Sequence, residues 1–251
     1  MKRLLSLIAA FAVIACSKTT RMQEVVFSPS YVETGSMTRA TDHAEILSLI
    51  ESSYTSFAVE VFTNGEGNSG TIMEFGRTYT IPVGTFRVNG ATSITPTGTP
   101  NAKYTLAKSP LFYVDTYVTI QYGTYDYSLP VQVRSAAVLF DRNDVSQIKY
   151  KDQSGSYVTI PNANLVLSDN YGLFFINGYF DGTAKVCVDI IPKTGAHKET
   201  EFIFAHDEVS TGSATYVKLE SGKYYVLHPS GITELTGSFS LSIPSWECGL
   251  E

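Results

Sequence analysis

The stretch Thr78-Tyr-Thr-Ile-Pro-Val-Gly-Thr-Phe-Arg-Val88 decides the fold class of this chain. Apolar residues alternate with hydroxyl or charged residues on both sides of Pro82-Val-Gly84, and a period of two is typical of a half-buried strand. Proline and glycine close together mark a turn, because proline fixes its own φ and glycine accepts backbone angles that other residues avoid. The stretch therefore predicts two β-strands around Pro82-Val-Gly84.

A similar pattern occurs in the second half of the chain. Ser221-Gly-Lys-Tyr-Tyr-Val226 matches Val83-Gly-Thr-Phe-Arg-Val88 as glycine, one residue, aromatic, one residue, valine. The two glycines lie 138 residues apart, which is about the length of one domain. This repeat favours two β-sandwich domains in tandem, over residues 24–130 and 131–251, with a single large jelly roll as the alternative.

The composition indicates a β-protein and argues against a nucleic-acid-binding function. The chain has 251 residues, a formal net charge of −6, 17% charged residues and 12% aromatic residues. An acidic chain without basic clusters lacks the positive charge that supplies most of the affinity for nucleic acid phosphates. Low charge combined with many aromatic and β-branched residues argues against disorder and against a helical bundle.

The N-terminus predicts export and lipid anchoring. Met1-Lys-Arg3 is basic, and the apolar run from Leu4 to Ala15 is too short to cross a bilayer, so residues 1–15 are typical of a signal peptide. The run ends in Val13-Ile-Ala-Cys16, which resembles the bacterial lipobox, in which the cysteine is acylated and becomes the new N-terminus. An ordinary signal peptide that ends beside a cysteine is the alternative. Residues 16–23 are predicted to be a tether.

Short strands are predicted along the rest of the chain, with one helix at Asp42–Ser52, where Asp42 can cap and Glu45 lies three residues on. The first strand contains Val25-Val-Phe27 and is interrupted by Pro29, which cannot donate a ladder hydrogen bond. We therefore expect this strand to lie at an edge or to be kinked. The other predicted strands are residues 56–63, 114–120, 131–140, 157–160, 173–180, 184–191, 201–205, 215–219, 223–227 and 238–243.

No motif in the sequence predicts catalysis, a metal site or a cofactor. The four histidines lack metal-ligand spacing, and no nucleophile elbow, P-loop or dinucleotide fingerprint is present. His206-Asp-Glu208 is more typical of a turn than of an acid–base cluster. Tyr122, Tyr125 and Tyr127 fit either a sugar-stacking platform or cross-strand packing.

The cysteines outside the lipobox leave one alternative open. Cys187 lies within the alternating run Lys185-Val-Cys-Val-Asp189, which predicts a buried thiol. An exported protein can also form disulfides, so a Cys187–Cys248 pair remains open. The sequence does not show that these two residues come close enough to bond.

Four features together resemble the fimbrillins, the lipoprotein pilus subunits of Bacteroidetes. They are the lipobox at Cys16, the segment Ser36-Met-Thr-Arg-Ala40 after the first strand, the repeated glycine-x-aromatic-x-valine turn, and the tail Gly237-Ser-Phe-Ser-Leu-Ser-Ile-Pro-Ser-Trp-Glu-Cys-Gly249. Each motif is short, and their order along the chain carries the resemblance.

The resemblance implies two transthyretin-like or Ig-like β-sandwich domains and cleavage by an arginine-specific protease. Arg39, followed by Ala40, is the position that matches the family's processing site. Residues 24–33 then plug a groove until cleavage, and a strand of the next subunit replaces them. Phe239, Leu241 and Ile243 alternate, so the last strand is a candidate donor, although it is equally suited to completing its own sheet.

We therefore expect a non-enzymatic fimbrial subunit, or an anchor or accessory subunit. The expected partners are other fimbrial subunits, outer-membrane lipid through acyl chains such as palmitate on Cys16, and an arginine-specific protease. The expected location is the outer membrane of the cell and the fimbrium. A surface glycan-binding or other cell-envelope lipoprotein is the alternative, and a hydrolase is a third class that requires converging carboxylates or a nucleophile beside a histidine.

Overall fold

The computed structural model of the chain describes residues 21–31, 44–65, 68–194, 201–229 and 231–234. Within these ranges the protein is built from nineteen β-strands with one short α-helix and a single 3₁₀ turn at Asn162–Asn164. The prediction of an all-β fold with one short helix is confirmed. No helix in these ranges is long and apolar enough to cross a membrane.

The elements follow one another with short connections. In chain order they are β1 (Met22–Tyr31), α1 (Ala44–Ser52), β2 (Ala58–Val61), β3 (Thr71–Glu74), β4 (Thr78–Pro82), β5 (Gly84–Ala91), β6 (Pro96–Gly98), β7 (Tyr104–Ala107), β8 (Phe112–Ile120), β9 (Asp126–Val133), β10 (Ser135–Asp141), β11 (Val145–Lys151), β12 (Tyr157–Thr159), β13 (Val166–Leu167), β14 (Tyr171–Gly178), β15 (Lys185–Pro192), β16 (Glu201–Ala205), β17 (Thr215–Lys218), β18 (Tyr224–His228) and β19 (Gly231–Glu234).

The strands form three sheets. The first sheet has the order β3-β2-β5-β8-β9-β1-β4, the middle sheet has the order β19-β18-β10-β14-β7-β6 with β13 beside β14, and the third sheet has the order β12-β11-β15-β16-β17. Two buried clusters lie between them. The first core joins the first sheet and α1 to one face of the middle sheet, and the second core joins the other face to the third sheet.

The first sheet curls over on itself. β4 and β5 are separated in the sheet by β8, β9 and β1, yet only Val83 separates them along the chain. Two Cα–Cα steps of about 3.8 Å join Pro82 to Gly84, so their Cα atoms lie at most about 7 Å apart, and the end strand must lie next to the start of a central strand. The two strands predicted around Pro82-Val-Gly84 are therefore present, and their corner closes the first sheet around its core.

The middle sheet is buried on both faces. Along β10, Ala137 and Leu139 belong to the first core, and Ala136, Val138 and Phe140 belong to the second core. A strand with two buried faces needs a continuous apolar run instead of an alternating one, and Ser-Ala-Ala-Val-Leu-Phe is such a run. This strand pairs with β14 on one side and with β18 on the other.

The repeated turn motif places both of its aromatic and valine pairs on the same core. Tyr224 and Val226 in β18 are buried in the first core, together with Val88 in β5, and Phe86 packs against that core. Gly222 precedes the second pair with φ of 74°, a left-handed value that favours glycine. The motif therefore marks two strands that line one interior.

The predicted domain boundary lies within a strand. Residues 130 and 131 both fall in β9, and the middle sheet combines β6 and β7 with strands that follow this point. The division into two domains stays a prediction. The single strand predicted at 131–140 is wrong, because the chain leaves the first sheet at Val133 and enters the middle sheet at Ser135, with only Arg134 between them.

Helix α1 begins at Ala44, and its predicted cap, Asp42, lies outside the described residues. Ile46, Leu49 and Ile50 bury one face of the helix in the first core, as their spacing predicts. At the edge of this face, the Glu45 carboxylate accepts hydrogen bonds from Asn170 Nδ2 at 3.0 Å and Ser168 Oγ at 3.0 Å. The helix is therefore fixed to the turn before β14.

A buried polar network fixes the point at which the chain changes sheets. Ser135 Oγ donates to Asn177 Oδ1 at 2.6 Å, and Asn177 Nδ2 donates to the Ser109 carbonyl at 2.9 Å. The Leu111 N–H donates to Ser135 Oγ at 2.6 Å. Buried polar groups are stable only when they are paired, so these bonds specify the crossing from β9 to β10.

We expect Asn177→Ala to lower the free energy of unfolding by about 2 kcal/mol, because Ser135 Oγ and the Ser109 carbonyl lose their buried partner. Urea unfolding followed by circular dichroism measures this change. Asn143→Ala, at an exposed turn position, is the control and should stay within about 0.5 kcal/mol of the parent protein. Equal effects of the two substitutions would contradict a specific role for the network.

Candidate functional site

The first strand lies between two other strands of the first sheet. β1 pairs antiparallel with β4, from Met22↔Pro82 to Val26↔Thr78. It pairs parallel with β9, from Val26↔Asp126 to Tyr31↔Val131. The N-terminal half of β1 is therefore held by β4, the C-terminal half is held by β9, and Val26 is aligned with both.

Backbone hydrogen bonds from neighbouring turns extend this pairing. The Val83 N–H donates to the Arg21 carbonyl at 2.8 Å, and the Val26 N–H donates to the Tyr125 carbonyl at 2.9 Å. The Gly76 N–H donates to the Phe27 carbonyl at 3.0 Å from the turn before β4. Gly76 has φ of 76°, so this turn depends on glycine.

Pro29 lies in the half of β1 that has β9 beside it. The β4 pairing ends at Val26, and Pro29 is aligned with Leu129 of β9. A missing N–H is tolerated where one side of a strand has no partner strand, and among the described strands this part of β1 has only one. The expectation that proline belongs at an edge therefore holds locally, within a strand that is internal elsewhere.

Two side chains of β1 fill the interior of the first sheet. Val25 and Phe27 are both 0% exposed and belong to the first core, and the Phe27 ring centroid lies 6.2 Å from that of Tyr127. Full burial of such side chains contributes about 1.5–3 kcal/mol each. Met22 and Glu24, on the alternate positions, are exposed. β1 therefore has one buried apolar face and one exposed face.

The walls on either side of β1 are anchored independently of it. β4 continues through Val83 into β5, and β9 pairs with β8 at Tyr113↔Gln132. Tyr125 OH and Thr78 Oγ1 form a hydrogen bond of 2.7 Å, which links the residue before β9 to the first residue of β4. We call the space occupied by Met22–Tyr31 between β4 and β9 the β1 groove. Without β1 it presents unpaired backbone groups on both sides and two empty apolar positions.

The chemistry of the β1 groove is that of a peptide-binding site. Its contacts are backbone hydrogen bonds and two apolar pockets, which recognise an extended chain with alternate apolar side chains. In the described ranges, no group of three or more His, Cys, Asp or Glu residues is placed to hold a metal ion. His206, Asp207 and Glu208 lie in the connection between β16 and β17, where a turn is predicted.

Cys187 is a free thiol and is buried on the third sheet. Burial raises its pKa, and the nearby Glu201 carboxylate raises it further, so the reactive thiolate is disfavoured at neutral pH. Burial alone would raise the pKa of Glu201, but hydrogen bonds from Tyr157 and Lys151 outweigh burial and lower it. Tyr157 OH donates to Glu201 at 2.6 Å. Tyr157, Lys151 and Glu201 are therefore paired with one another beside Cys187. Cys248 lies outside the described residues.

The three tyrosines of the predicted stacking platform have different surroundings. Tyr122 and Tyr125 are exposed, but Tyr127 is half-buried. The Tyr127 ring packs near Phe27, and its hydroxyl accepts a hydrogen bond from the Gln121 N–H at 2.7 Å. Tyr127 therefore supports β1 and does not present an open ring for stacking.

Several predicted functional residues lie outside the described residues. They are Cys16 for lipidation, Arg39 and Ala40 for processing, and Phe239, Leu241 and Ile243 as donor positions. Sequence patterns also missed β4 as the second wall of the groove. Its alternation indicated a strand, but no local signal names the partner of a strand.

Comparison with known proteins gives structural neighbours only. No family model and no curated protein matches the chain. The chain is similar to the tip fimbrial protein Mfa3 of Porphyromonas gingivalis, with 10% identity, a TM-score of 0.40, and coverage of 74% of this chain and 94% of that chain. It is also similar to a proposed cell adhesion protein of Bacteroides ovatus, with 11% identity, a TM-score of 0.38, and coverage of 89% and 100%.

A third neighbour is described as a proposed polysaccharide-binding protein of Bacteroides thetaiotaomicron, with 10% identity, a TM-score of 0.39, and coverage of 87% and 97%. Similarity at this level of identity and TM-score does not assign a function.

We expect Phe27→Ala to lower the free energy of unfolding by about 4 kcal/mol, because it empties the larger apolar position of the β1 groove. Ser28→Ala, on the neighbouring half-buried position, is the control and should change stability by less than about 0.5 kcal/mol. Amide hydrogen exchange should also accelerate in β4 and β9 of the Phe27 variant. Unchanged exchange in both strands would show that β1 does not hold them.

Proposed function

We propose that the chain is a non-enzymatic subunit of a surface fimbria that assembles by strand addition at the β1 groove. The alternative role is an anchor or accessory subunit, in which β1 stays in place. The observation that carries the proposal is the two-sided pairing of β1 with β4 and β9, together with full burial of Val25 and Phe27. A strand held by backbone bonds and two side chains can be replaced by another extended segment that supplies the same groups.

Covalent connection explains why β1 blocks the groove before processing. β1 and α1 are joined by residues 32–43, which contain Arg39. A tethered segment competes at a high effective concentration, on the order of millimolar for a short linker, so a strand of another subunit does not displace it. Cleavage after Arg39 removes this advantage. The fixed position of α1 on the turn before β14 keeps the remaining chain in place.

Release also requires the loss of specific contacts. An outgoing β1 exposes the backbone of β4 and β9 and the pockets of Val25 and Phe27. This cost favours exchange, in which an incoming strand forms contacts as β1 leaves. Phe239, Leu241 and Ile243 alternate with serines in the sequence and would present three apolar side chains on one face of such a strand.

The proposed export route uses Cys16 as an acylated anchor on the outer membrane. Acyl chains stabilise membrane attachment by about 0.8 kcal/mol per buried CH₂, so several chains suffice without a transmembrane helix. In a stalk subunit, cleavage after Arg39 separates the assembled protein from this anchor. In an anchor or accessory subunit, Cys16 remains attached and β1 stays in place. Mass spectrometry of the mature N-terminus distinguishes the two, since one begins at Ala40 and the other at acylated Cys16.

Arg39→Ala should keep the purified protein monomeric after treatment with an arginine-specific protease, whereas the parent protein should form higher oligomers. Size-exclusion chromatography with light scattering measures the difference. Arg77→Ala is the matched control, because Arg77 lies in an exposed turn, where it pairs with Glu74 at 2.7 Å. This control should assemble like the parent. Assembly of the Arg39 variant after protease treatment would refute cleavage at this position.

A peptide test separates groove binding from cleavage. A synthetic peptide of residues 22–31 should inhibit assembly of the cleaved protein, because it refills the β1 groove. The same peptide with Val25→Ser and Phe27→Ser should not inhibit, since it lacks the apolar face. Equal inhibition by both peptides would show that the groove does not select its strand by these two pockets.

A further inference from the structure

The start of β1 and the turn between β8 and β9 form one exposed end of the molecule. Arg21 and Met22 lie here, with Met22 49% exposed, and Tyr122 lies in the neighbouring turn with 70% of its surface exposed. The Arg21 guanidinium carbon is 5.7 Å from the centroid of the Tyr122 ring. The Gly123 N–H donates to Gln23 Oε1 at 2.9 Å and fixes the turn against the strand.

The length of chain before this end limits its distance from the proposed anchor. Cys16 precedes Arg21 by five residues. Five residues reach at most about 17 Å when fully extended. An acylated Cys16 would therefore keep the Arg21 backbone within about 17 Å of the bilayer surface, with Met22 and Tyr122 beside it, whereas exposed Tyr179 beyond the far end of β9 has no such limit.

We propose that Arg21, Met22 and Tyr122 form a membrane-contact patch that rests on the phosphate headgroup region of the membrane holding Cys16. This inference depends on the proposed lipidation of Cys16. Tyrosine favours the membrane interface because its ring is apolar and its hydroxyl is polar. Arginine adds attraction to headgroup phosphates, with which its planar guanidinium forms paired hydrogen bonds. Glu24 is the nearest acidic residue on the same face of β1 and lies one side-chain repeat farther from the tether.

The patch sets the orientation of the chain on the membrane. β1 has ten residues and so extends about 30 Å from Met22 to Tyr31. With Met22 at the headgroups, Tyr31 can lie up to about 30 Å from the bilayer, and the segment that contains Arg39 follows Tyr31 in the sequence. A soluble protease then reaches the processing segment without approaching the lipid surface. The patch thus links the proposed anchor to the proposed cleavage.

The test uses the Arg39→Ala protein, which is not cut at this position and so keeps β1, purified from outer membranes in detergent and reconstituted into vesicles of phosphatidylcholine mixed with phosphatidylglycerol. Amide hydrogen exchange of the peptides that cover residues 21–23 and 121–124 should slow in vesicles relative to detergent. Arg21→Gln should reduce this added protection about fivefold, which is the contribution of one basic residue near an anionic surface. Tyr122→Ser should reduce it in the same direction.

Tyr179→Ser is the matched control. Tyr179 is 59% exposed and has the Arg134 guanidinium carbon 5.4 Å from its ring, but Arg134 follows the far end of β9. Its substitution should leave the protection at residues 121–124 unchanged. Intact-mass analysis of the same sample reports acylation of Cys16, so the anchor and the patch are scored separately.

Each outcome decides the inference. Acylated protein with slowed exchange that is sensitive to Arg21 and Tyr122 supports the patch. Acylated protein without slowed exchange overturns the patch while the anchor stands. Protein without acyl chains overturns both, since the tether that places the patch is then absent. Oligomer formation by the β1 groove is measured independently of all three.

Discussion

Burial of both faces of the middle sheet is the constraint on which the rest of the structure depends. β10 and β14 carry apolar side chains on both faces, and each face must be covered by another sheet. The first sheet and α1 cover one face, and the third sheet covers the other. The Ser135–Asn177 network then fixes the single point at which the chain passes from the first sheet into the middle sheet. These contacts give the first sheet a fixed frame that does not include β1.

That frame holds β4 and β9, the two walls of the β1 groove, on either side of β1. β4 is held at Val83 by its continuation into β5, β9 is held by β8, and Ile81 is buried in the first core. β1 contributes Val25 and Phe27 and a set of backbone bonds, which together are small compared with the two cores. In the proposed assembly this wall element is exchanged while β4 and β9 keep their other attachments. The Tyr125–Thr78 hydrogen bond is one of these attachments, because it joins the β4 wall directly to the β9 wall.

The sequence predicted some elements accurately and others not. The alternation around Pro82 and Gly84 gave β4 and β5, and the spacing of Ile46, Leu49 and Ile50 gave the buried face of α1. The apolar run near Ser135 was predicted as one strand with residues 131–134, because an apolar pattern does not show where a chain changes sheets. Tyr127 was a candidate for ligand stacking but packs near Phe27, since exposure depends on neighbours distant in sequence.

Local chemistry along the chain determined that this protein is built from strands and which positions are apolar, and it predicted where export and lipid-attachment motifs occur. These properties follow from side-chain period, turn residues and short linear motifs, all of which act over a few residues. The tertiary structure alone decided that β1 lies between β4 and β9, that β4 joins β5 around a corner, and that the middle sheet serves two cores. Strand partners are selected by packing between residues far apart in sequence, and the local pattern is the same for many possible partners.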